Sequence, residues 1–291
     1  MKKLYFAYGS NLSATDWRRY CEERGVSPQG LVFSRVAWLP DWEVSFHYRS
    51  ETRQGGALTI HRRAGTAVPG ALFEVDEDSW ALLHRKEGVA AGCYAPLEAI
   101  ALDEEGQEWS CTTYEVTKTS RTEAPVPPAD GYHEIVATAL TELGLPTQQL
   151  DAAARGESPD LLPGHLFTYG TLRQGESRWM AASDIASGNV LETRCPGILL
   201  DLSEYPGLIN GSDEDRVMGE VVPLSSSQVW SESIDGIEDF LGYGNLESLY
   251  RRIIRRVEGA EPISHAWTYL YIGPTHDLPQ VPGNDWKKSR S

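Results

Sequence analysis

The chain has 291 residues, enough for two folded units, and its 41% hydrophobic content with nine tryptophans excludes a disordered or low-complexity chain. With 26 basic and 42 acidic residues the formal net charge is −16, which argues against nucleic acid or an anionic membrane as partner. No stretch approaches the roughly 20 apolar residues of a membrane span.

In chain order, KLYFAYG reads as a buried strand, rich in aromatics and closed by glycine. SATDWRRYCEERG predicts a helix with Ser13 as N-cap, Asp16 in the first turn and Gly25 as the stop. Strand-like runs follow: SRVAWLP, WEVSFHYR, ALTIHRR, VPGALFEV, CYAPLEAIAL and WSCTTYEV. YHEIVATALTELG and PTQQLDAAARG predict two short helices stopped at Gly144 and Gly156. The stretch GESPDLLPGH, with two prolines, two glycines and no periodicity, places a boundary between a domain at 1–158 and a second at 164–291.

The second part repeats this order. HLFTYGTLR predicts a strand and turn, GILLDL, RVMGEVVPL, YRRIIRRVEG and HAWTYLYIG predict further strands, and SSSQVWSESIDGIEDFLG predicts a serine-capped helix between two of them. Tyr8-Gly9 corresponds to Tyr169-Gly170, VPGALFEV to VMGEVVPL and HRKEG to DGIED. Tyr8 and Glu87 are 79 positions apart and Tyr169 and Glu238 are 69 apart, a difference that loops absorb. Many short strands with few helices in each part indicate an α+β class, with a closed or nearly closed sheet flanked by helices.

Four cysteines without a CxxC pair point to free thiols in a reducing compartment. Two N-terminal lysines lead directly into an aromatic run with no apolar h-region, so the expected location is cytoplasmic. No GxSxG elbow accompanies Ser10 or Thr171, no HExxH or clustered Cys and His offers a metal site, and the rest of a P-loop is missing around Gly55-Gly56. Metal and cofactor are expected to be absent.

Two features carry chemistry. A glycine after a strand lets successive backbone N–H groups point into one concavity, which favours a carboxylate or oxyanion. HRKEGV and IDGIEDF each put a glutamate after a helical segment among apolar residues, where a carboxyl has raised proton affinity and can serve as base and then acid.

YFAYGSNLS, GALFEV, HRKEGVAAGCYAPLEAIAL, EWSCTTYEV and PPADGYHEIVATALTELGLPTQQLDAA together resemble the γ-glutamylcyclotransferase family across nearly the whole first part. LFTYGTLRQG, YPGLINGSDEDRVMGEVV, IDGIEDF and LYRRIIRRV are similar to the γ-glutamylamine cyclotransferase group of the AIG2-like proteins. The resemblance implies two tandem small mixed β-barrels with flanking helices, each catalysing a cofactor-free conversion of a γ-glutamyl amide or amino acid into 5-oxoproline and a free amine. Glu87 and Glu238 would be the acid/base residues. Tyr8, Gly9, Ser10, Asn11 and Leu12, with Tyr94 and Tyr132, would bind the small-molecule γ-glutamyl substrate in the first part, and Tyr169, Gly170, Thr171 and Leu172 in the second. Tyr250 and Arg252 read as barrel packing and a solvated charge. The second part departs from the first: Asn11 has no counterpart, Arg173 follows instead, and Asp239 adds a second carboxylate. A non-catalytic γ-glutamyl-binding module in one or both parts is the alternative, and the oligomeric state stays open.

Overall fold

A computed structural model describes residues 3–225 and 230–290. Its contacts divide the chain into two compact units, Met1–Asp103 with Trp109–Leu162, and Glu104–Glu108 with Pro163–Ser291.

The first unit runs β1 (Lys3–Ala7), α1 (Ala14–Glu22), β2 (Leu31–Ser50), β3 (Gly55–Val75), α2 (Glu77–Lys86), β4 (Tyr94–Leu102), β5 (Glu108–Val116), α3 (Tyr132–Glu142) and α4 (Gln148–Ala154). The strands close into a barrel of order β1-β3-β2-β4-β5, with β1 antiparallel to β3 and parallel to β5, where Tyr5 faces Thr112. Phe6, Trp38, Phe46, Leu58, Ile60 and Leu72 are fully buried. Burying each such side chain contributes about 1.5–3 kcal/mol. Ser13 caps α1, its Oγ accepting from Asp16 N–H at 3.2 Å, and Asp76 caps α2, accepting from Ser79 N–H at 2.8 Å.

The four runs expected between residues 34 and 75 are two long strands, not four short ones. Pro40 and Asp41 on β2 shift the register against β3 without ending the strand. Asp41, at φ 63°, accepts the N–H of Gly65, at φ 76°, at 2.9 Å, so paired irregularities bend one continuous hairpin. The local turn signals are genuine, but they mark bends.

The second unit runs β6 (His165–Thr168), α5 (Trp179–Asp184), β7 (Leu191–Pro196), β8 (Ile198–Asp201), β9 (Pro206–Ile209), β10 (Arg216–Pro223), α6 (Trp230–Ile237), β11 (Tyr250–Arg256), β12 (His265–Tyr271) and α7 (Trp286–Ser289). Its main sheet has the order β11-β12-β6-β10-β7, and its outer strands approach where Arg194 and Glu258 form an isolated bridge; β8 and β9 pair separately. The serine cap expected for α6 falls in the SSS run, and residues 226–229 lie outside the described residues. LETRCP and PGLI, which form β7 and β9, are too short and too mixed to read as strands from pattern alone.

The two sheets share one wiring. β6 is antiparallel to β10 and parallel to β12, as β1 is to β3 and β5. Tyr8 donates its phenol proton to the Tyr114 carbonyl at 2.6 Å, and Tyr169 donates to the Tyr269 carbonyl at 2.8 Å. Thr113 donates to Phe6 C=O at 2.9 Å, and Thr268 to Phe167 C=O at 3.0 Å. Each unit also needs a glycine beneath the strand that leads to the Tyr-Gly turn. A Cβ on Gly70 would stand 2.2 Å from the Ala7 carbonyl oxygen, and one on Gly219 2.5 Å from that of Thr168. Gly70→Val should therefore cost about 1–3 kcal/mol through overpacking. A thermal melt of the full chain should show an early transition for this variant, whereas Gly236→Ala, where a Cβ on α6 meets open space without a positive φ, should leave the barrel's transition in place.

Candidate active site

In the first unit the chain leaves β1 at Tyr8-Gly9 and makes one tight turn, Ser10–Leu12, before α1. Leu12 N–H closes on Gly9 C=O at 2.9 Å and Ser13 N–H on Ser10 C=O at 3.1 Å. The N–H groups of Ser10 and Asn11 open this turn and so have no partner within it. A Cβ on Gly9 would lie 3.0 Å from the Tyr132 phenol oxygen, so glycine lets α3 bring that phenol against the turn. Leu12 is buried behind the turn.

Glu87 follows the last residue of α2 and keeps a helical N–H bond to Leu83 C=O at 2.8 Å, while Gly88 turns the chain away at φ 63°. This places its carboxylate over the turn, where Asn11 Nδ2 donates to Oε1 at 2.8 Å. Burial raises the proton affinity of Glu87; Lys86, the Asn11 donor and Arg53 pull it back. Tyr94 lines the same cavity, its hydroxyl donating to Leu58 C=O at 2.7 Å. Burial holds Tyr8 and Tyr94 well above the usual phenol range and pushes Tyr132 up to about 12, so all three phenols remain proton donors. The cavity has a volume of about 820 Å³.

The second unit assembles a comparable arrangement in a cavity of about 70 Å³. Arg173 N–H closes on Gly170 C=O at 3.0 Å, as Leu12 does on Gly9. Tyr169, Gly170, Thr171 and Leu172 line the cavity with Glu238, which follows α6 and bonds through its N–H to Ile234 C=O at 3.0 Å. A Cβ on Gly170 would lie 2.5 Å from Pro206. Burial pushes the Glu238 carboxyl up to about 7; Arg178 opposes this, and Asp239 and Asp235 add to it.

Residues 166–288 match a family model described as γ-glutamyl cyclotransferase, AIG2-like, and residues 67–152 match that of the AIG2-like family. A γ-glutamylcyclotransferase from Bos taurus is 33% identical over 149 residues, 50% of this chain and 73% of the relative. The γ-L-glutamyl-butirosin B γ-glutamyl cyclotransferase of Niallia circulans is 31% identical over 129 residues, 43% of this chain and 77% of the relative. A solved γ-glutamyl cyclotransferase structure, 29% identical, covers 55% of this chain and 90% of its own, with a TM-score of 0.46. The chain belongs to the γ-glutamylcyclotransferase family. It is an enzyme of that type, with family matches in tandem.

Within this cyclotransferase the two sites differ at the turn. Leu172 occupies the place of Asn11, so among the described residues no side-chain amide reaches Glu238. Arg173 does not replace it: the side chain is buried, with Nε 3.3 Å from Glu220 and Nη1 2.9 Å from Asp285. Arg252 is not the solvated charge expected from LYRR. It is 2% exposed, donates to Asp235 at 2.8 Å, and lies within 6 Å of the Trp230, Phe240, Tyr243 and Trp267 rings. Tyr250 is buried at the cavity wall and donates to Pro206 C=O at 2.9 Å. Asp239, at φ 48°, stands exposed beside Glu238.

Sequence reasoning missed the polar groups beneath the first turn. Asp16, in the first turn of α1, accepts from Arg53 at 3.0 Å and from Lys86 at 2.9 Å, and Arg53 also donates to Ser10 Oγ at 2.9 Å. Burial alone would raise the Asp16 carboxyl, but the two cations outweigh it and hold it at about 2. Each of these residues reads in the sequence as an ordinary helix or turn charge, and only the fold brings them together. Glu238 yields a pH prediction. Its ordinary value of 4.5 rises to about 7 in the folded protein, so the folded state binds the extra proton between those values. The stability it contributes is full below pH 4.5 and is lost as pH rises through 7. Glu238→Gln should lose less melting temperature than wild type between pH 5 and pH 8, as read by parallel calorimetric scans.

Proposed function

We propose that both units release 5-oxoproline and a free amine from γ-glutamyl amides or γ-glutamyl amino acids, with Glu87 and Glu238 moving the protons. The observation that supports this most directly is the placement, in each unit, of a part-buried carboxylate and an N–H-bearing Tyr-Gly turn around one cavity. The substrate carries its own nucleophile and electrophile, so the enzyme has to fold the glutamyl chain, remove a proton and hold charge. Correctly oriented ring closures of this kind reach effective molarities of about 10⁵–10⁸ M.

In the first unit Glu87 takes a proton from the α-ammonium, and the freed nitrogen attacks the γ-carbonyl. A new ring C–N bond forms as the carbonyl oxygen becomes an oxyanion, which the N–H groups of Ser10 and Asn11 hold. Glu87 returns its proton to the amine nitrogen, the old C–N bond breaks, and the carbonyl reforms. The second proton on the ring nitrogen leaves by the same carboxylate, so the amine departs as an ammonium. Tyr132, kept protonated by burial, supplies a donor to the substrate's carboxylate, and Tyr94, its proton given to Leu58 C=O, forms part of the wall against which the glutamyl chain folds. Glu238 acts in the same way on the Thr171–Leu172 turn. Because its carboxyl sits at about 7, its activity as a base should fall as pH drops below that value.

The test is a panel of γ-glutamyl amino acids and γ-glutamylamines incubated with the full chain, with 5-oxoproline quantified. Wild type should turn over members of the panel; Glu87→Gln and Glu238→Gln should each lose about 10²–10⁴-fold on the compounds served by that unit. The double variant should release none. Undiminished release by the double variant, or no release from any compound by wild type, would overturn the assignment.

A further inference from the structure

Lys86, the residue before Glu87, turns into the first site. Its ammonium donates to Asn11 Oδ1 at 2.5 Å and to Asp16 Oδ2 at 2.9 Å, beneath the rings of Trp17 and Tyr20 at 5.9 and 5.4 Å. With Asn11 Oδ1 taken by a cation, the other end of the amide must be the donor. It gives one N–H to Glu87 Oε1 at 2.8 Å and one to the Tyr5 phenol oxygen at 2.9 Å. Turned over, the amide would set its NH₂ against the ammonium and its oxygen against the carboxylate, two repulsive contacts in place of two attractive ones. The second unit has no such relay: Ile237 precedes Glu238, and Leu172 stands where Asn11 would be.

We propose that Lys86 is a positioning residue of the first site, locking the Asn11 amide so that its N–H is committed to Glu87 and the carboxylate is held facing the turn. The inference rests on the reading of Glu87 as the proton acceptor. Arg53 performs the parallel task for Ser10, so both residues of the turn hang from Asp16 through one cation each. Asp16 keeps Arg53 and Arg19 when Lys86 is removed, so an apolar replacement strands no buried anion.

The charged groups facing Glu87 are Lys86 and Arg53, with Asp16 behind them. The phenols of Tyr5, Tyr8, Tyr94, Tyr114 and Tyr132 close the other sides and are held above their usual range by burial. Farther out, His84 shares a bond with the Tyr114 phenol at 3.2 Å, and Cys93 lines the cavity beside Tyr48.

The experiment uses the full chain with ¹³C-labelled glutamate carboxyls, the Glu87 signal being assigned by its loss in Glu87→Gln. Lys86→Met should move the Glu87 titration to higher pH by about one unit, a tenfold rise in proton affinity. In a Glu238→Gln background it should lower kcat/KM about tenfold at pH values below the wild-type Glu87 titration and much less at pH values above the variant's. Lys86→Arg, which keeps donors for both oxygens, should retain the wild-type titration. Asn11→Leu should shift the titration in the same direction, and the double variant by less than the sum. If Lys86→Met fails to fold, Lys86→Ala, which also removes the donor, takes its place in the pair. A Glu87 titration unmoved by Lys86→Met, or additive shifts in the pair, would overturn the relay. A shifted titration with no turnover of any γ-glutamyl compound would leave the relay standing and remove the role given to Glu87.

Discussion

Holding a carboxyl group at the end of a helix, partly withdrawn from water, is the constraint around which each unit is organised. Glu87 and Glu238 follow α2 and α6, at the negative end of the helix dipole, where an anion is disfavoured. Burial pushes in the same direction. Neither effect depends on a neighbouring charge, so both glutamates gain proton affinity from the fold itself. Each unit then decides how far to oppose that gain: the first with an amide and two cations, the second with Arg178 alone.

The rest of each sheet keeps that carboxyl opposite its turn. The residue three before each glutamate is bonded to a tyrosine of the strand running parallel to the first: His84 to Tyr114 at 3.2 Å, and Asp235 to Tyr269 at 2.6 Å. The carbonyl of that same tyrosine accepts the phenol of the Tyr-Gly pair. Helix, last strand and turn are thus joined through one residue in both units. The Tyr of the Tyr-Gly motif is therefore a strut as well as part of a cavity wall.

The sequence revealed the parts of this design that depend on local pattern. Ser13 and Gly25 bracket α1 because capping is a short-range property, and the recurrence of Tyr-Gly and of Glu87 with Glu238 survives because the two units share a strand order. The hairpin of β2 and β3 was obscured because Asp41 and Gly65, typical turn residues, serve here as a matched bend. Asp16, Arg53 and Lys86 were illegible for another reason. Charges 37 and 70 positions apart carry no periodic signal, and only barrel closure makes them neighbours. Arg252 lies on a strand whose alternation suggests an outward face, yet Asp235 and four aromatic rings enclose it.

Every side chain named around Glu87 belongs to the first unit, and every one around Glu238 to the second. A tandem chain built this way can let one copy change its amide donor, its counter-charges and the breadth of its opening while its sibling continues to meet the original demand. The exchange of asparagine for leucine at the turn is the kind of change such redundancy tolerates.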